Sequence, residues 1–173
     1  SRQIRIALAE KGLEFELKVE RVWDRREAFL ALNPAGTVPV LVEDDGAVVV
    51  GRYAIAEYLE EIHPTRGLLG KSPLDRAEVR RLLAWFDDKF AWEVTDNLVE
   101  EKVMKRFMGM GQPNSAAIRA GYANVHYHLE YVGFLAERRK YLAGDYFSLA
   151  DIAAAAHLSC LDYLGDVPWE EHP

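Results

Sequence analysis

Asn33-Pro34-Ala35-Gly36-Thr37-Val38-Pro39-Val40-Leu41-Val42 is the stretch whose reading decides the fold. It reads as a loop that ends in a strand led by proline. Pro39 has no N–H for a sheet ladder, so it belongs at a strand's first residue or on an edge. It stands between two valines, at the head of an apolar run. Only an X-Pro bond carries a small penalty for cis, so Val38-Pro39 is a candidate cis bond in this corner.

Working outward, residues 38–42 and 47–50 are two short strands, and Asp44-Asp45-Gly46 between them is a hairpin signal. Residues 53–63 form an amphipathic helix with Ile55, Tyr58, Leu59 and Ile62 on one side, closed by Pro64. Upstream, residues 2–11 read as a short helix with Gly12 as its stop. Residues 13–20, Leu-Glu-Phe-Glu-Leu-Lys-Val-Glu, alternate apolar and charged side chains, the period of a half-buried strand. Asp24 can N-cap a helix that runs to about Leu32, with Phe29, Leu30 and Leu32 as its apolar members.

Composition shifts at residues 64–73, where prolines and two glycines mark a linker. Beyond it the period is helical. Val79, Leu82, Leu83, Phe86, Phe90, Val94 and Leu98 mark one long helix, broken near Gly109 and Gly111. Ile118, Tyr122, Val125, Leu129, Val132 and Leu135 mark a second. Ser148 opens a third as N-cap, with Asp151 at N3 as a capping box and Phe147 and Ile152 at the staple positions. The expected organisation is an α/β domain over residues 1–63, a linker over 64–73, and an all-helical domain over 74–173.

With 173 residues and half of them hydrophobic, the chain can bury a sizeable core. Its net charge of −7, with no basic stripe, argues against nucleic acid or an anionic membrane as the main partner. A single cysteine, Cys160, allows no intrachain disulfide and points to a reducing compartment. No run approaches the roughly 18 apolar residues of a membrane span.

The loop at 33–39, the Ala54-Ile55-x-x-Tyr58-Leu59 helix and the Ser148-Leu149-Ala150-Asp151 cap together resemble the glutathione S-transferase fold, over essentially the whole chain. The resemblance implies a thioredoxin-like N-terminal domain followed by a helical one. It also implies one further strand before the first helix and further C-terminal helices, neither of which is expected within residues 1–173. A glutathione site of that family would use the backbone at Val38 and a cis Pro39 for the cysteinyl part. An acidic residue and a hydroxyl would hold the γ-glutamyl end, at the positions taken here by Gly51 and Arg52. A carboxylate lost to glycine forfeits a charge-assisted hydrogen bond of about 1.5–3 kcal/mol. Arg52 is either a solvated helix-start residue or a side chain that closes the pocket. The thiolate-stabilising hydroxyl is expected upstream of Ser1.

The other candidates divide between bland and functional readings. Cys160 lies three residues after His157, but with no activating third group it reads as a core thiol. His126 and His128 diverge by about 200° on a helix and form no metal pair. No metal or cofactor is expected. Trp23 sits on a loop among Arg21, Asp24, Arg25 and Arg26, and is either a lid on the helix behind it or an interface anchor. Phe29, by residue type alone, reads as core. Lys102, Lys105 and Arg106, interleaved with Met104 and Phe107, are a solvated helix end or a docking patch.

Residues 18–23, 94–98, 102–106 and 157–167 resemble the FtsZ-localised protein A family of alphaproteobacteria, cell-division regulators with the glutathione S-transferase fold. The resemblance implies a cytoplasmic homodimer at the division site that binds FtsZ filaments and changes their curvature or bundling. It implies no enzymatic activity, and glutathione is not expected to bind. Trp23 and Phe29 match that family's FtsZ-contacting aromatics, with Arg25 and Arg26 beside them, which implies partial exposure for Phe29. Val38, Pro39, Gly51 and Arg52 are then a degenerate glutathione site. The alternative is an active glutathione transferase or peroxidase with an altered γ-glutamyl clamp.

Overall fold

In the computed structural model, which describes residues 1–172, helix α1 (Arg2–Lys11) stops at Gly12. Gly12 takes φ 71°, a left-handed conformation that costs glycine little. Its N–H bonds Ala9 O and the Leu13 N–H bonds Leu8 O, both at 2.9 Å. Lys11, the last residue of α1, is held 2.6 Å from Glu60 with both side chains buried. Lys11 Nζ also donates to His63 O at 2.8 Å, and Glu60 accepts from the Leu68 N–H at 3.0 and 3.1 Å. Removing one partner of such a buried pair typically costs about 3–5 kcal/mol.

The chain divides into two compact units, Ser1–Leu68 and the residues from Leu69 onward. In the first, β1 (Val40–Val42) pairs antiparallel with β2 (Val48–Val50), with Val40 opposite Val50 and Val42 opposite Val48. The turn closes through Gly46 N–H to Glu43 O and Glu43 N–H to Ala47 O, both 2.9 Å. Helix α3 (Arg52–Ile62) buries Ile55, Ala56 and Leu59, and packs against α1 and the hairpin. Ile62, expected on the apolar side, is exposed.

Two expectations for this unit are corrected. Residues 13–20 form no ladder, and Phe15, Leu17 and Val19 are exposed. Alternation fixes which way side chains point, but a strand also needs a neighbour's N–H and C=O groups. No described segment supplies them here. Asp24 is not an N-cap. It ends a short 3₁₀ turn (Val22–Asp24), and α2 (Glu27–Leu32) starts after Arg26 with no side-chain cap.

The second unit begins at Leu69, inside the expected linker. Ser72 caps α4 (Pro73–Ala84) in a capping box with Asp75, and Pro73 fills the first helical position. From Trp85 to Met104 the helix continues in wider π winding, then finishes as α5 (Lys105–Met108). Leu82, Phe86, Phe90, Val94 and Leu98, each four residues from the next, are fully buried. In α winding a step of four drifts by about 40°, so this stripe would sweep roughly 160°. Wider winding reduces the drift. The stripe is also covered by two helices, α6 (Ser115–Ala136) and α7 (Leu149–Tyr163).

Gly121 lets α6 approach the π segment. A Cβ there would lie 2.8 Å from Leu98 Cγ and 3.0 Å from Asn97 Cβ. Helix α7 starts with the expected capping box. The Asp151 carboxylate accepts from the Ser148 N–H at 2.9 Å, and also from the Leu142 N–H at 2.8 Å. Ile152, Ala153, Ala154 and Ala156 are buried, so the alanine run serves close packing.

One buried polar cluster crosses this core. His128 is 2% exposed. Its Nδ1 accepts from Trp85 Nε1–H at 3.1 Å, which leaves Nε2–H to donate to Glu93 at 2.9 Å. The ring is therefore a neutral tautomer. Burial holds its pKa below the ordinary imidazole value; Glu93 pulls it partly back and Lys89 adds to the lowering.

Gly121→Ala should destabilise the protein by about 1–3 kcal/mol, the usual cost of overpacking, read as a lower urea midpoint at unchanged slope. The unfolded chain takes up a proton on His128 below about pH 6.5, where the folded chain resists it. The stabilisation is therefore full above that pH and is lost as pH falls below it. The drop in urea midpoint from about pH 7.5 to about pH 5.5 should be larger in the wild type than in His128→Phe.

Candidate functional site

The loop at 33–39 is shaped by Asn33, whose side chain is buried. Asn33 Nδ2 donates to Thr37 O at 2.7 Å and to Thr37 Oγ1 at 3.1 Å. Asn33 Oδ1 accepts from the Ala35 N–H at 3.0 Å, and Asn33 O from the Gly36 N–H at 2.9 Å. Gly36 has φ 66°, and a Cβ there would press on Leu30 Cδ2 at 3.3 Å. The Val38-Pro39 bond is cis, as the sequence suggested. Val38 is 43% exposed, and among the described residues its N–H and C=O bond nothing. This is an open backbone edge able to pair with an extended ligand.

The edge does not continue into a helix start with a carboxylate for an ammonium. Pro39 O accepts from the Gly51 N–H at 3.0 Å, which brings the loop beside the beginning of α3. Gly51 caps that helix with φ 87° and ψ 145°, with no side chain and open space where a Cβ would stand. Arg52 follows, and its guanidinium lies 4.9 Å from the Tyr53 ring centroid. The geometry brings Val38, Pro39, Gly51 and Arg52 together and supplies a backbone edge without a carboxylate at 51.

A second face is the turn ahead of α2. Asp24 N–H bonds Arg21 O at 2.9 Å and closes the 3₁₀ turn. Trp23 stands on it at 41% exposure. Arg25 leaves the turn with φ 45° and ψ 45°, a left-handed conformation that is uncommon for a residue with a long side chain. Arg26 grips Glu20 through two nitrogens, Nε to Oε1 at 3.1 Å and the second terminal nitrogen to Oε2. That hydrogen bond to Glu20 raises the guanidinium above its ordinary pKa. Phe29, for which the family resemblance implied partial exposure, is only 6% exposed. As the third residue of α2 it turns inward, while Leu32 takes the outer side, so Phe29 belongs to the core.

The remaining candidates have internal partners. Lys102 Nζ bonds Asp166 at 2.6 and 2.8 Å and the Tyr122 hydroxyl at 3.0 Å, and Lys105 bonds Glu101 at 2.7 Å. The supposed basic patch is thus largely neutralised within the unit. His157 sits between Thr95 Oγ1 at 2.9 Å and Asp87 Oδ1 at 3.3 Å, while the Cys160 thiol points to Ala156 O at 3.3 Å. His126 Nδ1 meets His172 Nε2 at 2.9 Å. Among the described residues no group of three His, Cys, Asp or Glu side chains could hold a metal, and no helix is long and apolar enough to cross a membrane. A cleft of about 390 Å³, lined by Trp85, Lys89, Glu93, Asn124, Tyr127, His128 and Tyr131, was not foreseen. Its only sequence signal is aromatic and charged residues at helical spacing.

Residues 1–62 match the glutathione S-transferase N-terminal domain, and residues 123–173 the glutathione S-transferase C-terminal domain. The chain is 48% identical to FtsZ-localized protein A of Caulobacter vibrioides, over 99% of this chain and 76% of that protein. Among solved structures, a glutathione S-transferase from Rhodospirillum rubrum superposes with a TM-score of 0.97 at 57% identity, covering 99% of this chain and 78% of that one. FzlA from C. crescentus superposes with a TM-score of 0.95 at 48% identity, covering 99% and 77%. With the cis loop, the hairpin and the capped helical unit in place, the chain belongs to the glutathione S-transferase family and is a relative of FtsZ-localized protein A.

Proposed function

We propose that this chain is a non-catalytic cell-division protein that binds FtsZ filaments through the face carrying Trp23. The observation that carries the reading is the 48% identity to FtsZ-localized protein A across 99% of the chain. The site chemistry supports it. Gly51, with φ 87°, offers no side chain for a γ-glutamyl ammonium, and Arg52 next to it would repel one. Trp23 offers an exposed indole on a turn held by backbone bonds, the kind of anchor on which interfaces depend. Arg25 flanks it, Arg26 braces the turn through Glu20, and Phe29 holds α2 from behind. A homodimer in the cytoplasm, at the division site, would present the face twice. Two sites on one body bend or crosslink a filament by avidity, without new contacts.

A second reading, a glutathione transferase with an altered clamp, is favoured by the 57% identity to the protein described as a glutathione S-transferase and by the open Val38 edge.

Trp23→Ala should lower co-sedimentation with FtsZ polymers roughly tenfold or more, since a truncated anchor costs about 2 kcal/mol or more, while the melting temperature stays close to wild type. A folded variant that pellets at full strength would remove Trp23 from the interface. Calorimetric titration with glutathione should give no saturable heat even at millimolar ligand; a clear binding isotherm would favour the transferase reading instead.

A further inference from the structure

We infer that the Trp23 turn receives an acidic protein segment whose carboxylates pair with Arg21 and Arg25 on either side of the indole. This rests on the reading of Trp23 as the FtsZ contact and names the chemistry of the surface it meets. The cations around the turn are not equivalent. Arg26 is neutralised by Glu20 in a two-point bond, and Lys18 lies 3.6 Å from Glu16. Arg21 and Arg25 are exposed, and among the described residues neither guanidinium has an ion pair or a hydrogen bond.

Their placement is specific. Arg21 enters the three-residue turn and Arg25 leaves it, so their Cα atoms are about 8 Å apart at 3₁₀ rise, with Trp23 midway. A terminal nitrogen of Arg25 lies 3.6 Å from the point where a Cβ on Gly36 would stand, which puts the guanidinium beside the loop that carries Val38. The Arg25 backbone is strained at φ 45°. Such strain persists where the surroundings hold it, and it gathers at binding sites.

The partner class follows from the charges that oppose these two. Asp24 and Glu27 flank them, and the whole chain carries −7. No broad positive field exists to hold a nucleic acid or a lipid surface. What the turn offers is two unpaired guanidinium forks carried at a set backbone spacing, suited to carboxylates on one folded or extended segment.

The test is pelleting with FtsZ polymers from about 50 to about 300 mM salt, over which surface pairs are increasingly screened. Wild-type affinity should fall severalfold across the series. The double variant Arg21→Glu, Arg25→Glu should lose about tenfold or more at low salt and show a flatter salt response. Lys18→Gln, a neighbouring cation off the turn, should stay within about threefold. Arg25→Gly separates binding from structure: glycine accepts the left-handed backbone, so its melting temperature should hold or rise while its affinity falls. If the double variant binds like wild type while Trp23→Ala does not, the charge inference is overturned and the Trp23 reading stands. If Trp23→Ala binds like wild type, or the wild type does not pellet, both fall. Binding of the wild type to phosphatidylserine vesicles through the same two arginines would overturn the choice of a protein partner.

Discussion

One buried amide governs the site. Asn33 gives both hydrogens of its side-chain nitrogen to Thr37 and takes one N–H on its oxygen, so the loop at 33–39 satisfies its polar groups from within. Buried amides left unpaired are costly, and this one is nearly saturated. The loop therefore keeps its corner without any ligand. A preserved corner is a property of the fold, and only the groups around it speak to chemistry. Those groups have separated: the Val38 edge is open, but the start of α3 carries a bare glycine and a guanidinium turned over its neighbouring tyrosine.

Much of the fold was readable where the signal was local. Pro39, the Asp44-Asp45-Gly46 turn, the Gly12 stop and the Ser148–Asp151 cap each depend on residues within a few positions, and each stands where the sequence placed it. The misreadings have mixed causes, some in non-local structure and some in a local signal passed over. Alternation at 13–20 describes side chains, whereas a ladder requires a second segment. The Asp24 cap was plausible until the chain spent that residue on a 3₁₀ turn. The Ser72 cap was hidden inside a stretch read as linker from its prolines and glycines. The spacing of four from Leu82 to Leu98 was visible, but a period of 3.6 gives no reason to expect π winding beneath it.

Around the Trp23 turn, exposure was legible only in part. Trp23 is exposed and Phe29 is core, as residue type alone suggested before the resemblance drew Phe29 outward. The division of labour among the arginines depends on where Glu20 points, which no linear pattern encodes. Buried polar chemistry in the helical unit was equally invisible. His128 looked like one half of a diverging histidine pair, and became legible only when Trp85 and Glu93 arrived from another helix to fix its tautomer.

The close approach at Gly121 has a consequence for descent. With Leu98 so near the missing Cβ, the two positions cannot drift independently. A lineage that gains a side chain at 121 must shrink the residue at 98 or shift the helix, and reversion of one change alone becomes deleterious. A relative with a side chain at 121 should carry a smaller residue at 98, so the pair marks branches of the family by inheritance.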